Sequence, residues 1–116
     1  MLVLCYPRCS TCRKALNWLD DRSIEFDQRD IVLDNPTEDE LRLWHKSSDL
    51  PLRRFFNTSG VLYRELGLKE KLPTMAEDEM YKLLASDGKL VKRPLLVLDD
   101  TVLVGFREPE WEAVIC

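Results

Sequence analysis

Apolar residues recur along this chain at two spacings, and each change of spacing marks a change of element. Leu2 to Tyr6 is a short, almost continuous apolar run backed by Pro7, the pattern of a buried strand. From Cys12 the spacing becomes helical. Cys12, Ala15, Leu16 and Leu19 fall on one face, while Arg13, Lys14, Asn17 and Asp20 fall on the other. Ile24 and Phe26 then alternate with polar neighbours, predicting a second strand that ends before the turn-rich Asp34-Asn35-Pro36. Strand, helix and strand in that order begin a parallel unit.

Thr37 and Glu40 have capping-box spacing ahead of Leu41 and Trp44, so a helix is expected to start there and to end or bend at Asp49-Leu50-Pro51. Leu52 to Leu72 reads as short helical pieces interrupted near Asn57-Thr58-Ser59-Gly60 and at Gly67. Thr74 and Glu77 repeat the capping-box spacing, and Ala76, Met80, Leu83 and Leu84 continue one apolar face towards Gly88. After Arg93-Pro94, the runs Leu95–Leu98 and Thr101–Val104 flank Asp99-Asp100, which predicts two antiparallel strands joined by a tight turn. Trp111, Val114 and Ile115 close the chain at helical spacing behind Pro109. The order β-α-β, helical insertion (about 37–72), β-β-α is an α/β, thioredoxin-like arrangement with a mixed sheet. One domain over 1–116 is expected from the length.

Composition narrows the setting. At 45% apolar and 33% charged residues the chain suits a globular protein and not a disordered one. No stretch approaches the roughly 20 apolar residues of a membrane span, and the N-terminus lacks the leading basic stretch and long apolar core of a signal peptide. The cytoplasm is therefore the expected compartment. A net charge of −4 argues against non-specific attraction to nucleic acid or to an anionic membrane, so no direct nucleic-acid or membrane partner is expected.

That setting changes how the four cysteines are read, because cytosolic thiols are normally kept reduced. Cys9-Ser10-Thr11-Cys12 lies at the predicted strand-to-helix junction. A thiol at a helix N-terminus forms its thiolate more easily, since free backbone N–H groups and the helix dipole favour negative charge. Cys9 holds that place, with Arg8 and Arg13 beside it. Cys12, one turn further in, is spaced to resolve a mixed disulfide at Cys9. Zinc would need two further ligands, and Cys5 in the buried strand, the lone His45 and the terminal Cys116 form no second pair. No metal is therefore expected. Cys5 is read as a small core residue and His45 as a residue of a helix face. Trp18, Trp44, Phe55, Phe56 and Trp111 are read as packing residues and not as a base-stacking platform.

Tyr6-Pro7-Arg8-Cys9-Ser10-Thr11-Cys12-Arg13-Lys14-Ala15, Leu66-Gly67-Leu68 and Lys92-Arg93-Pro94 resemble the glutaredoxin-coupled arsenate reductase and Spx family over essentially the whole length. Pro51-Leu52, Phe55-Phe56-Asn57-Thr58-Ser59-Gly60 and Tyr63-Arg64-Glu65-Leu66 look closest to its uncharacterised reductase-like branch. The resemblance implies a nucleophilic cysteine at Cys9, a cis bond before Pro94 beside it, and an oxyanion held by arginines. Arg93 and Arg107 match two of the three, Asn57 stands where the first would be, and Arg8 is a further candidate anion donor. Where the arsenate reductases carry serine, this chain has Cys12, which makes an internal disulfide available.

The expected function is thus a thiol–disulfide oxidoreductase acting through Cys9, Cys12 and Arg93. It would carry no bound cofactor, and glutaredoxin with glutathione, or thioredoxin, would serve as the external reductant and protein partner. One alternative is an Spx-like regulator that binds the RNA polymerase α subunit. Against it, Pro51 stands at the glycine those regulators use, and the chain stops at Cys116 short of their extended C-terminal segment. The other is a true glutaredoxin-dependent arsenate reductase.

Overall fold

The computed structural model describes Met1–Cys116. Its sheet has four strands, β1 (Leu2–Cys5), β2 (Asp27–Asp30), β3 (Leu95–Val97) and β4 (Val102–Val104), in the order β2-β1-β3-β4. β1 runs parallel to β2 and antiparallel to β3, and β3 pairs antiparallel with β4, so the sheet is mixed as expected. Helices α1 (Ser10–Asp21), α2 (Glu38–Ser48), α3 (Val61–Glu65), α4 (Leu68–Lys71), α5 (Glu77–Ser86) and α6 (Glu108–Ile115) surround it. Short 3₁₀ turns occupy Leu52–Phe55, Leu72–Thr74 and Gly88–Leu90.

β1 is central and covered on both faces, which is why its sequence is continuously apolar instead of alternating. Strand alternation then sorts its side chains. Leu4 joins Leu95, Val102 and the helical insertion in the larger core, while Val3 and Cys5 join Leu96, Trp111 and the inner face of α1 in the smaller one. The buried face of α1 is Cys12, Ala15, Trp18 and Leu19. Thus β1 and α1 direct Cys5 and Cys12 into the same core.

Two expectations need correction. The second strand leaves out Ile24 and Phe26, which signalled it, and covers only the polar Asp27–Asp30 of the stretch expected before Asp34. An edge strand holds its place through main-chain pairing with β1, while Ile24 and Phe26 pack, half-buried, under the smaller core. Likewise Thr74 does not cap α5. It lies in a 3₁₀ turn with its hydroxyl donating to the Lys71 carbonyl, and Ala76 occupies the cap position without a side-chain bond. By contrast, the Thr37/Glu40 capping box of α2 is complete. Arg29 of β2 forks onto Glu40 at 2.7 and 2.9 Å, so the edge strand is tied to the helix that follows it.

The insertion breaks where glycine requires it. Gly67 adopts φ 63° between α3 and α4. Gly88 is packed so closely that a Cβ there would stand 1.8 Å from the Ile31 carbonyl oxygen.

Candidate dithiol site

The chain leaves β1 through Tyr6-Pro7-Arg8 in a turn closed by the Cys9 amide donating to the Tyr6 carbonyl at 2.9 Å. Cys9 is the N-cap of α1, in extended backbone geometry. Its carbonyl accepts the Arg13 amide, and its side chain makes no capping bond. No acidic residue lies in the first turn of α1, so no carboxylate competes for its free N–H groups. Cys9 is half-buried, whereas Cys12 and Cys5 are both 0% exposed. Of these three thiols, an incoming molecule can therefore reach Cys9 only. None of the four cysteines is in a disulfide.

Cys12 sits among donors. The Tyr6 amide donates to its sulfur at 3.3 Å. The Cys5 thiol donates to it as well and has the largest effect, followed by the Tyr6 amide, the Cys9 thiol and the charge of Arg93; together they overcome burial and bring Cys12 down from 9.0 to about 7. Donation to Cys12, then burial, pushes the Cys5 thiol far up. The thiol that its neighbours lower is Cys12, the residue read from sequence as the resolving partner.

Arg93 stands over the Tyr6 ring, its Cζ 5.1 Å from the centroid, and donates to the Lys89 carbonyl at 3.2 Å. Its bond to Pro94 is cis, as the family resemblance implies, and Pro94 is buried at the entry to β3. Asn57 is buried, and its Nδ2 reaches the same Lys89 carbonyl at 3.5 Å while its Oδ1 accepts from Ser59 at 3.2 Å. Asn57 and Arg93 therefore meet through one acceptor.

Arg107 is the exposed N-cap residue of α6, and Arg8 is exposed beside Cys9 with its carbonyl accepting from Arg13. Neither is joined to the thiols by a hydrogen bond. Ion pairs involve only Arg29 and Arg42, so Arg8, Arg93 and Arg107 carry charge that no carboxylate neutralises.

His45 is built into the fold. Its Nε2 faces the Leu50 carbonyl at 2.8 Å, so that nitrogen carries the proton, and Nδ1 accepts from the Tyr81 hydroxyl. All five aromatic packing residues named from sequence are buried. Sequence reasoning missed Tyr6, whose amide and ring both serve the site. Cys5, read from sequence as a small core residue, is buried in the core, on the face of β1 that α1 covers.

The ArsC family profile matches residues 4–114. This chain belongs to the ArsC family. A solved ArsC family related protein from Bacteroides fragilis superposes with a TM-score of 0.95 at 57% identity, covering 97% of this chain and 95% of that one. The uncharacterized protein YusI of Bacillus subtilis is 50% identical over 92% of this chain and 91% of its own length. Regulatory protein MgsR of the same organism is 30% identical over 90% of this chain and 82% of its own length. Proteins named arsenate reductase and Spx are also among the relatives of this ArsC-family, thioredoxin-like fold. No helix is long and apolar enough to cross a membrane.

Proposed function

We propose that this ArsC-family protein is a thiol–disulfide oxidoreductase. The observation that carries the reading is the division of labour between two sulfurs one helical turn apart: Cys9 is reachable, and Cys12 is sealed but held by the Tyr6 amide. The Cys9 thiolate attacks one sulfur of a substrate disulfide. A mixed disulfide forms, and the other substrate sulfur leaves as a thiolate that takes a proton from water. Cys12 then attacks the Cys9 sulfur, closing Cys9–Cys12 and releasing the second substrate thiol. The substrate gains two electrons and the protein loses two. Glutaredoxin with glutathione, or thioredoxin, returns them in cytoplasmic conditions.

Arsenate is a poor fit to this reading. The oxyanion needs several charged donors as it is attacked, and the amide of Asn57 brings no charge and is already engaged with Lys89. Coupled assays with glutaredoxin and with thioredoxin test the proposal. Disulfide turnover should be abolished by Cys9→Ser, and arsenate turnover should stay near background. Efficient arsenate reduction by the unaltered chain would overturn the preference.

A second reading, a regulator that binds the RNA polymerase α subunit, is favoured by the kinship with MgsR. Capture of the chain by the isolated C-terminal domain of α would support it.

A further inference from the structure

Tyr6 touches three parts of the site through three different groups, its carbonyl, its amide and its ring. We propose that Tyr6 is a positioning residue: the face of its ring holds the Arg93 guanidinium at the thiol end of the sheet, so that Cys9 attacks negatively charged disulfides in preference to neutral ones. This rests on the oxidoreductase reading above and names a substrate class for it.

The main chain brings the pair together. β1 and β3 are antiparallel, with Leu2 opposite Val97, Val3 opposite Leu96 and Leu4 opposite Leu95. Continued two residues beyond Leu4 and Leu95, that register sets Tyr6 opposite Arg93. Pro7 favours extended backbone at Tyr6, which keeps the direction of β1. At the same residue the carbonyl accepts the Cys9 amide at 2.9 Å, and the amide donates to the Cys12 sulfur at 3.3 Å. A group resting on the Tyr6 ring is therefore carried at a fixed place relative to both thiols.

The side chains complete the arrangement. Arg93 Cζ lies 5.1 Å from the ring centroid, and Nη1 donates to the Lys89 carbonyl at 3.2 Å. A ring face attracts a cation, and a carbonyl accepts one N–H, so the two contacts hold the guanidinium without cancelling its charge. Arg93 is half-buried and in no ion pair, which leaves that charge available to a group approaching Cys9. Its field also reaches Cys12, where it favours the thiolate. No hydrogen bond of the chain involves the Tyr6 hydroxyl, so the ring does the holding.

The consequence is a charge preference in the first step. The Cys9 thiolate gives an electron pair to one sulfur of the disulfide, the S–S bond breaks, and the other half leaves as a thiolate. A cation fixed nearby favours a disulfide that brings carboxylates of its own. In aqueous surroundings a unit charge held about 7 Å away is worth about threefold in rate.

The test uses the full chain with Cys116→Ser, which removes the exposed terminal thiol. Stopped flow follows the first release from the dianionic 5,5′-dithiobis(2-nitrobenzoate) and from uncharged dithiodipyridine. Taking the ratio of the two rates cancels any change in the ionisation of Cys9. Tyr6→Leu should lower that ratio about threefold. Tyr6→Phe, which keeps the ring, should preserve it. With Arg93→Gln the ratio should already be low, and adding Tyr6→Leu should take nothing more from it.

An unchanged ratio in Tyr6→Leu or in Arg93→Gln would overturn the proposal. So would two losses that simply add in the double variant, because the ring would then act by a route other than Arg93. Absence of a second release from the parent, the product of resolution by Cys12, would sink the dithiol reading instead, while the first-release ratio still decides the role of Tyr6. Thermal melts check that each variant is folded, and Tyr6→Met, a second ringless apolar replacement, stands in should Tyr6→Leu fail to fold.

Discussion

At the scale of single residues, the site separates two properties that chemistry usually wants on one atom. Cys9 is accessible because it caps a helix at the surface, and Cys12 is drawn down to about 7 because the Cys5 thiol, the Tyr6 amide, Cys9 and Arg93 outweigh its burial. Arg93 contributes through space and not through contact, standing over Tyr6 and anchored on the Lys89 carbonyl. Replacing it with alanine should raise the midpoint of Cys12 and slow disulfide turnover at neutral pH by about two- to fivefold. Because Arg93 is half-buried and in no ion pair, the change should cost about 1–2 kcal/mol, the loss of its cation–π contact and of its bond to the Lys89 carbonyl. Turnover against pH, read beside the thermal midpoint, checks both parts. An unchanged pH profile would return Arg93 to a purely structural role.

At the scale of elements, local rules succeed where a side chain can close a bond within its own helix. Thr37 and Glu40 close a reciprocal capping box, and Thr37→Ala should destabilise the protein by ~1 kcal/mol in urea unfolding. The same spacing at Thr74 and Glu77 fails, because Leu72-Pro73-Thr74 is taken up by a 3₁₀ turn before α5 starts. Thr74→Ala should therefore have far less effect than Thr37→Ala. The link from β2 to α2 adds a pH dependence. The Arg29 guanidinium, with the capping box behind it, lowers Glu40 from 4.5 to about 2. A carboxylate lowered by folding contributes stability that is complete above its unfolded value and disappears as pH falls through the folded one. The difference in thermal midpoint between wild type and Arg29→Ala should accordingly be full at pH 7 and shrink between pH 4.5 and pH 2. A difference that stayed constant through that window would show that Arg29 acts by packing on Trp44 and not through Glu40.

At the scale of the whole molecule, a four-stranded mixed sheet divides the interior into two cores, and the thiols belong to the smaller one with Trp18 and Trp111. Trp111 is 0% exposed, stacks edge-on against Trp18 and Phe106, and donates its Nε1 to the Gly105 carbonyl at 3.1 Å. Trp111→Ala should cost ~3–5 kcal/mol in chemical denaturation. Much of this architecture was legible beforehand: the strand-to-helix junction at Cys9, the broken insertion, the final hairpin and the closing helix all follow from apolar spacing, proline and glycine. These features depend on neighbours a few residues apart, so the sequence by itself determined them. The bounds of the polar edge strand Asp27–Asp30 were not legible, because its place comes from main-chain pairing with β1, and hydrophobic pattern carries no sign of that. Cys9, Cys12 and Arg93 were named from the sequence, but the burial of Cys5 beside Cys12, brought together from a strand and a helix, was not, and the charge on each sulfur depends on such distances. Only the tertiary structure decided those, because hydrogen bonding, burial and Coulomb interaction act through space and not along the chain.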